Sequence, residues 1–224
     1  MRKAIFWIHL VIGISASLVI LVMSATGVLL MYQRQITAWA DARALKPMSQ
    51  ASEQALSMGE LSEAVSKISS NAPTSITINR VENSPLVASF GREKTLFLDP
   101  FTGQSLGEGS KAMRAFFQSM VELHRWLALK GEWRENGKWF TGAANLGFMF
   151  LTISGIYLWW PRSWNARSLR AITVLNWNAR GRARDWNWHH VFGFWCALPL
   201  AVITFTAIFF SYPSATNFLY RVTG

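Results

Sequence analysis

Three stretches of the chain carry no Asp, Glu, Lys or Arg: residues 4–33, 139–161 and 186–220. A helix crosses the ~30 Å hydrocarbon core of a bilayer with about 20 apolar residues, so each stretch is long enough to span. The first is apolar throughout. The second is apolar from Phe148 and closes on Tyr157, Trp159 and Trp160. The third is apolar from about Val191 to Phe210. Trp and Tyr at span ends suit the membrane interface. Arg2, Lys3 and the small residues around Ala38-Trp39-Ala40 or Ala42-Arg43-Ala44 also permit a signal-peptide reading. A signal h-region is only about 7–15 residues, so the first run reads as a retained span.

Composition agrees. Charged residues make up 15% of the 224-residue chain, against about 25% in soluble domains. One Cys excludes a disulfide scaffold or a Cys-based zinc cluster within one chain. A net charge of +10 raises nucleic acid as a partner, and the placement of that charge decides against it. Residues 162–185 hold six Arg and one Asp, while 34–138 hold thirteen basic and eleven acidic residues. The positive-inside rule then puts the N-terminus and the 162–188 loop in the cytoplasm. The charge is an orientation signal first. Contact with anionic headgroups of membrane lipid comes second, and no nucleic-acid partner is expected.

The expected fold is a mostly α membrane protein with three transmembrane helices and a small extracytoplasmic α+β segment. The expected boundaries are a first helix over 1–33, the α+β segment over 34–109 and an interfacial helix over 110–138. The second helix covers 139–161, the basic loop 162–188, the third helix 189–212 and an outer tail 213–224. Within the α+β segment, residues 58–72 have apolar residues at helical spacing. Three runs then alternate as strands do, 74–81, 86–91 and 95–99, followed by a turn over Asp99–Gly103.

Four histidines remain: His9, His124, His189 and His190. The first and third spans align without a gap on two of them. His9 is followed by Gly13, Thr26, Gly27 and Tyr32, and His189 by Gly193, Thr206, Ala207 and Tyr212, at the same offsets. This pattern points to a duplicated helical unit and puts His189, rather than His190, in register with His9. Ionisable groups at membrane depth are usually functional. Two imidazoles at equal depth on neighbouring helices can clamp haem iron. A Gly one turn beyond each lets a flat macrocycle approach, and Arg162 or its loop neighbours can meet the propionates. The alternative is that these His and Trp residues are headgroup anchors. Zinc is less favoured, since no carboxylate or thiolate lies at a readable spacing. His124 stands on an apolar helical stripe with no outer His to pair with it.

These residues resemble the PepSY-associated transmembrane helix family, which includes haem-containing siderophore-iron reductases. The resemblance rests on Trp7-Ile8-His9 with Gly13 and Thr26-Gly27, and on Leu123-His124-Arg125-Trp126-Leu127. It rests also on Gly155-Ile156-Tyr157-Leu158-Trp159-Trp160-Pro161-Arg162 and Trp188-His189-His190 with Gly193. The outer segment resembles a PepSY domain, with Leu98-Asp99-Pro100-Phe101-Thr102-Gly103. The resemblance implies haem b held near the cytoplasmic face by His9 and His189. A second haem near the periplasmic face is implied on His124. Larger members carry a fourth span and a second outer segment, so an outer haem on His124 is expected either to keep an open position or to take its second ligand from a Met such as Met120 or from a homodimer partner. His190 stands where Arg125 follows the middle motif His, as a substitute ligand or a propionate partner.

The expected function is an inner-membrane protein of a bacterium that passes electrons outward to a ferric siderophore or another ferric complex for iron uptake. No paired carboxylates, catalytic triad or Gly-x-Gly-x-x-Gly dinucleotide fingerprint is present, so the electron donor is another protein, a quinol or a diffusible reductant. The rival is a non-enzymatic membrane protein whose outer segment binds a periplasmic partner, or an accessory subunit of an iron transporter.

Overall fold

A computed structural model describes residues 1–48, 55–69, 71–78, 84–91, 94–161 and 163–224. The described chain divides into two compact units, 1–28 with 120–224, and 29–119.

The larger unit is helical. Helix α1 runs Arg2–Met31 and α5 runs Arg134–Trp159, with a 3-10 turn at Gly131–Trp133 before it. Then come α6 (Ala166–Thr173), α7 (Gly181–Ser211) and α8 (Pro213–Thr223). Helices α1, α5 and α7 are each long and apolar enough to cross a membrane. Their burial is the inverse of a soluble bundle. The residues turned inward are small or polar: Thr26, Thr141, Asn145, Thr152, Ser154 and Thr204. Leu18, Leu198 and Phe210 are 71%, 77% and 85% exposed. In lipid there is no hydrophobic gain from hiding Leu, so helices meet through small residues and hydrogen bonds. One such bond runs from Asn145 Nδ2 to the Thr204 carbonyl at 3.0 Å and ties α5 to α7. The chain is a membrane protein.

Charge marks where a membrane ends rather than where a helix ends. Helix α7 starts at Gly181 and carries Arg182 and Arg184 in its first turns, ahead of the apolar run. Asn187 then anchors the preceding loop. Its Nδ2 donates to the Ala171 and Val174 carbonyls, and its Oδ1 accepts from the Asn176 amide.

Helix α4 (Lys111–Trp126) leads into α5 through a turn in which Leu127 and Ala128 both have positive φ, 52° and 59°. That conformation costs an L-residue roughly 1–2 kcal/mol. It is held by the Leu127 and Ala128 amides donating to the Leu123 and Glu122 carbonyls. The turn brings the Trp126 carbonyl against Gly137, where any Cβ would collide with it.

The smaller unit holds α2 (Gln33–Ala44), α3 (Met58–Ile68) and a four-stranded antiparallel meander in the order β1-β2-β3-β4. The strands are Ser75–Thr77, Leu86–Phe90, Lys94–Leu98 and Ser105–Gly107. Strand β4 was not expected from the sequence. Residues 79–81 of the first expected strand lie outside the described residues. Pairing Leu86 with Leu98 and Ala88 with Leu96 puts four apolar side chains on one face, where they meet Leu61 and Val65 of α3. The helix begins in a capping box. Ser57 Oγ accepts from the Glu60 amide, and Glu60 accepts from the Ser57 amide at 2.8 Å. The Asp99–Gly103 turn forms as read: Asp99 Oδ1 accepts from the Phe101 amide at 2.9 Å. Gly103 has φ +69°, and a Cβ there would lie 3.1 Å from that of Ala64.

Candidate functional site

His9 is half-buried on α1, beside Ser154 of α5. Ser154 Oγ donates to the Phe150 carbonyl at 2.6 Å, as membrane serines often do to their own helix. A hydroxyl has one hydrogen, so toward His9 Nδ1, 2.8 Å away, Ser154 accepts. His9 therefore carries its proton on Nδ1 and keeps the Nε2 lone pair free. Metal-binding histidines are oriented by this kind of outer partner.

The ring nearest His9 across the helices is His189 of α7. The two ring centroids are 6.3 Å apart and the planes are nearly perpendicular, at 87°. Two imidazoles on opposite sides of one metal set a definite spacing. With metal–nitrogen bonds of about 2.0–2.1 Å and about 1.1 Å from nitrogen to ring centre, their centroids stand roughly 6.2–6.4 Å apart. The observed spacing falls in that range. At Gly193 no atom lies within 4 Å of where a Cβ would be, and at Gly155 a Cβ would stand 3.6 Å from His9 Cε1. Among the described residues no group of three His, Cys, Asp or Glu converges.

His190 turns elsewhere. Its Nδ1 lies 2.9 Å from the Trp186 carbonyl, and its ring stacks on Trp186 at 3.9 Å. Arg162 lies outside the described residues. A different arginine, Arg2, lies at this end of the unit. It donates to the Leu158 carbonyl at 2.6 Å and the Trp160 carbonyl at 3.1 Å, capping the C-terminus of α5 with positive charge.

His124 lies beside Thr26, seventeen residues along α1 from His9, or about 25 Å along the axis. It repeats the same device. Thr26 Oγ1 donates to the Val22 carbonyl at 2.7 Å and so accepts from His124 Nδ1 at 2.9 Å. The ring presses close to α1, since a Cβ at Gly27 would lie 3.3 Å from His124 Cε1. Burial holds the His124 pKa below its ordinary value; the Met23 carbonyl opposes this and Arg125 adds to it. The ring is therefore neutral at pH 7. The chain has no fifth histidine to pair with it.

The repeat is thus used asymmetrically. Thr206, in register with Thr26, is exposed and donates to its own helix, at the Val202 and Ile203 carbonyls. Sequence reasoning missed Ser154, whose role depends on which helix lies beside His9.

A family model described as the PepSY-associated TM region matches residues 6–223. No curated protein gives a significant match.

Proposed function

The chain belongs to the PepSY-associated TM region family, and from that premise we propose that it is a membrane haem protein that delivers electrons singly across the bilayer to a ferric complex. The observation that carries this reading is the His9–His189 pair, 6.3 Å between ring centroids, with His9 held in one tautomer by Ser154. A haem-free anchor has no need of either feature.

In this reading His9 and His189 hold b-type haem at one end of the bundle, and His124 holds a second at the other. Haem, when bound, supplies a one-electron carrier whose potential depends on its axial ligands and surroundings. Ser154 and Thr26 fix the Nδ1 protons of His9 and His124, so each Nε2 faces its task unprotonated. Gly193 leaves open space beside His189, and Gly155 lets His9 pack closely against α5. Arg2 and the loop arginines supply positive charge for propionates at the His9 end. Charge bias places that end in the cytoplasm of a bacterial inner membrane and the 34–138 segment outside. The donor, a quinol or a carrier protein, loses one electron for each ferric ion reduced. Ferrous iron is less charged and less hard, so an oxygen-donor siderophore holds it less tightly.

The test is trapping of ferrous iron. Reduced, desalted protein mixed with a ferric siderophore and a chromogenic ferrous chelator should yield one ferrous ion per reduced haem. A yield equal to the protein-free control contradicts the reductase reading.

A further inference from the structure

The larger unit carries an apolar slot away from its histidines. The loop after α6 is pinned to α7 by the three Asn187 bonds and by Trp195 Nε1, which donates to the Thr173 carbonyl at 2.9 Å. Between loop and helix lies a cavity of about 430 Å³, walled by Val174, Leu175, Trp177, Val191, Phe192 and Trp195. Trp177, Phe192 and Trp195 stay exposed, so the slot opens on the outer surface of the unit. Val191 and Trp195 share one strip of α7, about 6 Å apart along its axis. The slot therefore runs with the helix, as an acyl chain does in a bilayer.

Charge gathers at one end only. Arg167 and Arg170 stand on α6, Arg180 caps α7, and Arg182 and Arg184 lie in its first turns. The Val174 amide donates to the Arg170 carbonyl at 3.1 Å, so Arg170 is one turn from the slot wall. The Arg184 guanidinium lies 5.6 Å over the Trp188 ring, whose edges meet Trp177 and Phe192 at 6.0 and 6.2 Å. Asp185 is the one acid between residues 163 and 190, and Arg184 holds it. Arg167, Arg170, Arg180 and Arg182 form no ion pair among the described residues. From Trp186 to Ser211, α7 carries no charge at all. Unpaired cations at one end of an apolar slot complement a ligand with an anionic head and a long apolar tail.

We infer that the slot is a specific site for one anionic phospholipid, preferred over zwitterionic lipid. Arg170 and Arg180 take the phosphate, and Trp177, Phe192 and Trp195 take one acyl chain. Basic segments beside a span are drawn to an anionic leaflet in general. That attraction is diffuse and indifferent to chain length, whereas a slot pinned by hydrogen bonds seats one chain. The site does not depend on haem.

The experiment titrates full-length protein in detergent with dioleoyl phosphatidylglycerol, and separately with dioleoyl phosphatidylcholine, and counts bound lipids by native mass spectrometry. The first phosphatidylglycerol should bind roughly tenfold or more tightly than the first phosphatidylcholine. Arg170→Gln with Arg180→Gln should lose that preference, and Arg170→Lys with Arg180→Lys should keep it. Val174→Trp fills the slot and should lose the tight first lipid. On the parent protein, dihexanoyl phosphatidylglycerol, with the same head and short chains, should bind roughly tenfold or more weakly than the dioleoyl lipid. Arg221→Gln, on α8, should leave binding unchanged. Equal affinity for the two dioleoyl lipids overturns the inference. So does equal affinity for the short and long chains, or a preference that survives in Val174→Trp, since either result leaves charge alone as the attraction.

Discussion

Ser154 accepts the Nδ1 proton of His9 at 2.8 Å while donating its own hydrogen to the Phe150 carbonyl. The direction of that bond fixes the chemistry of the ring. Removing the acceptor frees the imidazole to rotate and to change tautomer. Outer partners of metal-bound histidines are worth about 10–100-fold in affinity. Ser154→Ala should therefore weaken haem uptake by about that factor in a titration of haem-free protein, and Ser154→Thr should restore most of it. Unchanged affinity in Ser154→Ala would show that the hydroxyl does not orient a ligand.

Gly193 offers a cleaner separation of folding from binding. A side chain there meets no atom of the protein within 4 Å of its Cβ. Gly193→Leu should leave the helical circular-dichroism signal and the thermal stability of haem-free protein unchanged, yet reduce haem content severalfold. If haem content also stays at the parent level, the open space beside His189 is lipid-facing and has no part in the site.

In the smaller unit, Asp41 pairs with Arg114 through two hydrogen bonds. Their side chains are 9% and 23% exposed, and Asp41 Oδ1 also accepts from the Ser110 amide at 2.7 Å. Breaking a fully buried pair costs about 3–5 kcal/mol. Arg114 keeps some water contact, so Asp41→Asn should cost about 2–3 kcal/mol. Amide hydrogen exchange across residues 86–107 of the full chain should accelerate accordingly, while exchange in α5 and α7 stays as it was. An equal acceleration in both would contradict a local role.

Burial depresses the pKa of His124 below its ordinary 6.5. The unfolded chain therefore binds a proton there more readily than the folded chain does. The resulting stability is complete above pH 6.5 and is lost as the pH falls from 6.5 toward the lower folded value. Haem-free protein should show a falling melting temperature over that window, and His124→Gln should flatten the slope. A slope that survives in His124→Gln belongs to another group.

The three spans were legible because charge is excluded from lipid, and the His9–His189 register because both helices repeat one spacing. Ser154 was not legible. A hydroxyl in an apolar run ordinarily bonds back to its own helix, and only the packing of α1 on α5 gives it a second partner. Helix α2, with Gln33, Arg34 and Gln35 in its first turn, lacks the apolar stripe that marks α3. Strand β4 has three residues, too few to alternate visibly, and it forms because the Asp99–Gly103 turn returns the chain to β3. The amphipathic α6 hid inside a run of arginines that read as a loop. Pairing of Asp41 with Arg114, 73 residues apart, has no local signature.

Haem held between His9 and His189 carries its own spectroscopic signature. Absorption spectra of the full-length protein, expressed with ample haem and recorded oxidised and dithionite-reduced, test it most directly. The expected result is a Soret band and a sharp reduced α-band, with the same component lost in both His9→Ala and His189→Ala and kept in His190→Ala. No Soret band in the parent protein, or full haem content in both single variants, would contradict it.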